Sequence, residues 1–204
     1  MDQRTRPAPR LAPLPLEHTP ELKDQFEAAR KRMGFVPNSV LIMQRNPKMA
    51  RGFGAISSAI WDPDGKVDLK LKRLIAHVSS RAAGCTYCMA HTAEGAAKLG
   101  VEQQKLDAVW DYQTSPLFSP AERAALDVAV AAGCVPNAVT DEMFLALRKH
   151  WSDDQVVEIV GTIALFGFLN RWNDTMATPL EDEPLHFGEM HLAAQGWDAG
   201  KHLR

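Results

Sequence analysis

Cysteine is scarce in this 204-residue chain, and three residues are too few for a disulfide framework. Basic charge is not in excess: 23 Lys and Arg stand against 25 Asp and Glu, for a formal net charge of −2. With no Lys/Arg-rich run and no stripe of interleaved aromatics, nucleic acid is not an expected partner. Long apolar runs are missing too. The longest, around Ile159 to Leu169, is too short to span a bilayer, so no membrane partner is expected. The N-terminus lacks the apolar stretch of a secretory signal, which leads to the expectation of a cytoplasmic protein. In that reducing setting a Cys-x-x-Cys pair is more often catalytic or metal-binding than structural.

Alternating strand patterns are absent, whereas helix start and stop signals recur along the whole chain, so the fold class expected is all-α. Residues 1–18 read as a Pro/Arg-rich arm, 19–179 as a helical domain and 180–204 as a polar, turn-rich tail packed on the body or on a partner subunit. Within the domain, Thr19-Pro20 opens a helix that closes near Gly34, and two more follow around 39–46 and 47–60. Asp68 caps a long apolar-periodic helix that Gly84 breaks, and the next carries Cys88 to Leu99. Ser119 to Glu122 and Ser152 to Gln155 are capping boxes, the second leading into an apolar helix through Leu169. Sliding the chain on itself lays 71–91 over 156–176, which suggests two related helical halves, about 38–113 and 119–179, with the thiols in the first only. In that overlay the two cysteines fall on Asn170 and Asn173.

Two of the three cysteines and a histidine fall within Gly84-Cys85-Thr86-Tyr87-Cys88-Met89-Ala90-His91. Cysteines two residues apart at a helix start can cycle between dithiol and disulfide, and the helix terminus favours thiolate over thiol. On that argument Cys85, nearer the terminus, is the better thiolate. His91 follows Cys88 by three residues, where an imidazole can take the thiol proton. A zinc site is the main rival, but a fourth ligand is not evident. His77 reads as a packed or solvent-facing helix histidine. The five tryptophans read as core or subunit-contact residues. Asn170, Arg171, Asn173 and Asp174 read either as capping groups closing an apolar helix or, for Arg171 and Asp174, as the lining of a pocket above the thiols.

The run from Leu71 to Thr92, with its long helix, Gly, Cys-x-Tyr-Cys and nearby His, resembles the core of the carboxymuconolactone decarboxylase family, in its alkylhydroperoxidase D-like (AhpD-like), peroxidase-related branch. Phe168 to Asp174, with its Asn-Arg pair, is similar to the same branch. The resemblance implies an all-α AhpD-like fold in two related halves, assembly into homo-oligomers, and a cysteine peroxidase that needs neither metal nor bound organic cofactor. It implies that Cys88 attacks the peroxide, that Cys85 resolves the sulfenic acid, and that His91 relays the proton. A small-molecule peroxide and a dithiol reductant, a lipoyl- or thioredoxin-type protein, are the implied partners.

The sequence departs from the branch at two places. Its histidine stands one position early, His91 rather than Thr92, a swing of roughly 100° on a helix. The glutamate expected twelve residues before the first cysteine is Arg73, which cannot accept a proton but could hold an anionic substrate. The overlay puts Glu158 on Arg73, making Glu158 the replacement acid, with Glu94 and Asp174 behind it. Arg73, Tyr87, Arg171 and Asp174 are the substrate-binding candidates. The alternatives are a decarboxylase-type lyase on the same fold, and a non-catalytic dithiol sensor.

Overall fold

The computed structural model describes residues 8–203, so the first seven residues of the expected N-terminal arm lie outside the described residues. Ten α-helices occur among the described residues, and no strand. They are α1 (Lys23–Met33), α2 (Asn38–Met43), α3 (Pro47–Ile60), α4 (Leu69–Ala82), α5 (Thr86–Lys98), α6 (Gln103–Asp107), α7 (Pro120–Gly133), α8 (Asp141–Arg148), α9 (Asp153–Met176) and α10 (Asp182–His191).

The helix starts follow from local chemistry. The Asp68 carboxylate accepts from the N–H groups of Lys70 and Leu71 and so satisfies two donors that the first turn of α4 leaves free. Both capping boxes form, Ser119 with Glu122 at α7 and Ser152 with Gln155 at α9. At the α4–α5 junction the backbone of Gly84 takes φ 74°, a left-handed turn that a residue with a Cβ adopts only at a cost. That turn aims α5 back along α4 and leaves Cys85 as the N-cap of α5.

α4 lies at the centre and packs on α5, α7 and α9. Its apolar residues Leu71, Leu74, Ile75 and Val78 meet Leu126 and Ala129 of α7 and Ile159 and Ile163 of α9 in the main core. A second core surrounds Cys85 and Cys88, closed by Phe166 of α9 and by Leu180, Leu192 and Trp197 from the C-terminal segment. The described part of the arm is pinned to α2 and its C-terminal turn: the Leu14 N–H donates to the Leu41 carbonyl, and the Gln44 amide donates to the carbonyls of Leu14 and Pro15.

Three features differ from the sequence expectation. α9 does not close near Leu169 but runs two further turns to Met176, so Asn170 and Asn173 are buried helix-interior residues rather than caps. The apolar pattern stops at Leu169 although the helix does not, and beyond it Asn173 turns its amide to the Cys88 sulfur. The segment after Pro179 is also more than a turn-rich tail. It forms α10, packs on α5, and ties its later turns down when the Trp197 indole N–H donates to the Thr86 carbonyl. Finally, α9 is unbroken where α4 and α5 are separated by Gly84, so the overlaid segments differ in shape at the thiols.

Candidate active site

Capping by Cys85 sets the geometry of the two thiols. The Cys88 N–H donates to Cys85 Sγ at 3.4 Å, as the N-cap geometry requires, and the Cys85 N–H donates to the Ser80 carbonyl. Both sulfurs are sequestered, with Cys85 0% and Cys88 2% exposed. They are not equivalent, because Cys88 lines a cavity of about 120 Å³ and Cys85 does not. From α9 the Asn173 amide donates to Cys88 Sγ at 3.4 Å. Burial first, and then the adjoining Cys85 sulfur, pushes the Cys88 thiol well above its ordinary range, with Asn173 working in the opposite direction. For Cys88 this runs against the expectation of an easily ionised thiol: burial behind an apolar wall outweighs the helix terminus.

His91 also faces the cavity, one turn along α5 from Cys88. Its Nε2 lies 2.6 Å from Glu181 Oε2, and the Tyr87 hydroxyl donates to Glu181 Oε1 at 3.0 Å. The Asn38 N–H, from the first residue of α2, donates to the same carboxylate. Burial works against the Glu181 charge, but the interaction with His91, together with the Asn38 N–H, prevails and holds the carboxyl below its usual range. The Tyr87 and His91 rings stack at 4.3 Å, so the imidazole is held on its face as well as its edge. Together these contacts give one sulfur on the cavity wall, an imidazole oriented by a carboxylate, and a second sulfur sealed directly behind the first.

Arg73 lines the same cavity, from α4. Its guanidinium stacks on the Trp61 ring at 4.0 Å and is only 7% exposed. Trp61, expected in the core or a subunit contact, is thus part of the cavity wall. Tyr87 lines the cavity as well, with its ring inside and its hydroxyl on Glu181.

The remaining sequence candidates lie elsewhere. Glu158 is occupied at the start of α4, where Oε2 pairs with the fully buried Lys72 Nζ at 2.7 Å and the N–H groups of Lys66 and Val67 donate to the carboxylate. The overlay pointed one residue away from the true partner. Lys72 and Arg73 leave the helix about 100° apart, so only Lys72 faces Glu158 while Arg73 turns to the cavity. Arg171 and Asp174 line a separate cavity beside Cys134, on the other side of α9, and Asp174 pairs with Lys201 at 2.6 Å. Glu94 pairs with Lys98 at 2.8 Å, at the outer edge of the site. Among the described residues no group of three His, Cys, Asp or Glu side chains could hold a metal ion.

The carboxylate partner Glu181 was not among the sequence candidates. Glu181-Asp182-Glu183-Pro184 is a recognisable helix start, acidic in its first turn and followed by proline. Nothing in that signature says that Glu181 would meet His91, 90 residues earlier.

Residues 47–131 match the model of the carboxymuconolactone decarboxylase family, a span covering α3 to α7 and hence both thiols. The crystal structure of the debrominase Bmp8 is 36% identical, with a TM-score of 0.82, and the alignment covers 87% of this chain and 95% of that one. The chain belongs to the carboxymuconolactone decarboxylase family. Another family structure, described as an alkylhydroperoxidase AhpD core and an uncharacterized peroxidase-related protein from Ralstonia eutropha JMP134, is 25% identical with a TM-score of 0.75, covering 87% of this chain and 95% of that one. The fold is therefore the all-α AhpD-like fold of this family. The uncharacterized protein YnjA of Escherichia coli K12 is 30% identical over 115 residues, a stretch that spans 56% of this chain and 63% of YnjA, just under two thirds of that relative. The family resemblance first carried by Leu71 to Thr92 is thus matched by likeness across most of the chain.

Proposed function

We propose that this protein is a thiol-dependent peroxidase in which Cys88 reduces a hydroperoxide and Cys85 resolves the product. The observation that carries the reading is the asymmetry of the pair: Cys88 lines the cavity that His91 also lines, one turn along α5, and Cys85 lies sealed off at the helix cap. His91, held by Glu181, takes the Cys88 proton as the thiolate attacks the distal peroxide oxygen. The O–O bond breaks and the proton goes to the departing alkoxide, giving an alcohol and Cys88 sulfenic acid. The Cys85 thiol then displaces hydroxide from that sulfur, releasing water and closing a disulfide. A dithiol reductant, becoming a disulfide itself, restores both thiols. The upward push of burial on the Cys88 thiol fits this order of events, because a thiol held up in this way needs a base such as His91 to activate it.

Reduced protein exposed to a hydroperoxide should lose two thiols by mass spectrometry and regain them with dithiothreitol. Cys88→Ser should abolish peroxide consumption, whereas Cys85→Ser should accumulate a sulfenic acid that dimedone traps. Trapping in the Cys88→Ser variant instead would reverse the roles, and slow, unselective oxidation of all three cysteines would end the peroxidase reading.

A second reading has its own support. Bmp8, 36% identical, is a debrominase, and a cysteine-to-alanine variant of it has been crystallised with 2,3,4-tribromopyrrole. Here the cavity is walled by Phe53, Trp61, Tyr87 and Phe166, a lining suited to a flat ring. The same dithiol could supply two electrons to replace a ring-bound halogen by hydrogen, with release of halide and formation of the disulfide. Bromide release from a brominated heteroaromatic, measured beside peroxide loss, separates the two readings.

We further propose that the protein self-associates through α9. That helix is apolar nearly all round, and Val157, Val160 and Phe168 stay exposed on the side away from α4.

A further inference from the structure

The Arg73 guanidinium is buried without a counter-ion. Among the described residues it has no ion pair with any carboxylate, and its Nε–H has no hydrogen-bond partner. Glu94, the one acidic group acting on it, does so at longer range because its carboxylate is engaged by Lys98 at 2.8 Å. Arg32 adds a second positive charge on the same wall. A guanidinium so little exposed, with no carboxylate beside it, presents N–H donors to whatever enters the cavity, and an anion there would offset the cost of burying the charge.

The surroundings prepare this guanidinium rather than merely tolerate it. The Trp61 ring covers one face at 4.0 Å and leaves the N–H edges free. Gly95 of α5 gives it room, since a Cβ there would come within 2.8 Å of Arg73 Cζ and 2.9 Å of an Nη. Arg73 also stands at a seam. It lines both the thiol cavity and an adjoining outer cavity of about 480 Å³, shared with Arg32, Trp61 and His91 and open toward Lys31 and Lys98. Burial, with the Arg32 charge, lowers its ionisation to about 10, which leaves it cationic at neutral pH.

We infer that the site takes substrates bearing a carboxylate, which Arg73 binds in its two-pronged fashion at the seam, with Arg32 closing from the mouth and the reactive end of the molecule directed to Cys88. This rests on the proposed peroxidase reading for the chemistry at sulfur and adds to it the class of hydroperoxide: a small organic acid. The planar fork of arginine matches a carboxylate, whereas a neutral hydroperoxide would leave the buried charge as unpaired as before.

The test compares a carboxylate-bearing alkyl hydroperoxide with its methyl ester, in wild type, Arg73→Gln, Arg73→Lys and Gly95→Ala. The acid should exceed the ester in kcat/KM by about tenfold or more, as charge-assisted hydrogen bonds warrant. That ratio should fall toward one in Arg73→Gln. It should fall partway in Arg73→Lys, which keeps the charge without the fork, and in Gly95→Ala, which keeps the arginine but displaces it. Equal rates for acid and ester in the wild type would overturn the inference and leave the peroxidase reading standing. Should neither be consumed, the peroxidase reading fails on its own, and calorimetry still decides the anion site. Benzoate should bind the wild type and benzamide should not, with benzoate binding lost in Arg73→Gln. Equal binding of benzoate and benzamide, or benzoate binding that survives Arg73→Gln, would sink it.

Discussion

At the scale of single residues, the polar groups around the thiol helix divide by whether anything answers their charge. His77 of α4 is fully buried against the Trp110 ring, with Nδ1 at 2.9 Å from Thr92 Oγ1 and 3.1 Å from the Met89 carbonyl. Burial lowers its ionisation from 6.5 to about 4, the Arg81 charge adding to the effect and the Met89 carbonyl opposing it. A group that ionises less readily folded than unfolded stabilises the fold above its unfolded value, and that stability is lost as the proton is forced on. Thermal or urea melts should therefore lose up to roughly 3 kcal/mol as pH falls from 6.5 through about 4. A His77→Gln variant should show a flatter profile across that window, whatever its stability at neutral pH. A wild-type profile already flat there would mean the imidazole is hydrated.

At the scale of elements, the thiol site depends on a reversal between two helices. Gly84 has open space around its Cα but φ 74°, so an added methyl group meets no neighbour and the cost is conformational alone. Gly84→Ala should cost about 1 kcal/mol, measured by chemical denaturation, and should loosen the Cys85 cap enough to speed alkylation of Cys88 by iodoacetamide. An unaltered alkylation rate would mean that α5 holds its start without the turn.

This junction was legible in sequence because every signal in it is local: a capping Asp68, an apolar period, a glycine, a cysteine pair. The capping boxes of α7 and α9 were legible for the same reason. The end of α9 was not, since Asn170 and Asn173 look like caps until it is known that both are buried within the helix, Asn173 against the Cys88 sulfur. α10 was lost among polar residues whose burial comes from tertiary contact with α5. Of the candidate cavity's lining, Cys88, His91, Tyr87 and Arg73 come from one stretch of chain that the sequence singled out, while the carboxylate that meets His91 lies far from it. Register arithmetic on an apolar pattern led to Glu158, and the carboxylate at the imidazole is Glu181, brought there by long-range packing that no local pattern encodes.

At the scale of the whole molecule, α9 is the element with unfinished business on its outer side. Val157 is 71% exposed, Val160 41% and Phe168 40%, with Ala164 and Gly167 between them on the same side. A stripe of this kind on a 24-residue helix is the surface to test for the proposed self-association. Light scattering after size exclusion should give a mass above one chain for the wild type, and Val157→Asp with Phe168→Glu should shift it to the monomer. A monomeric wild type at micromolar concentration would remove self-association from the account.

The bond from His91 to Glu181 also carries a consequence for assembly. The paired sulfurs and the imidazole belong to a hairpin of adjacent helices that forms from near neighbours, yet Glu181 arrives from the start of α10, 90 residues further along the chain. A nascent chain leaving the ribosome therefore presents its paired cysteines well before Glu181, and the His91–Glu181 contact forms only when α10 docks on α5.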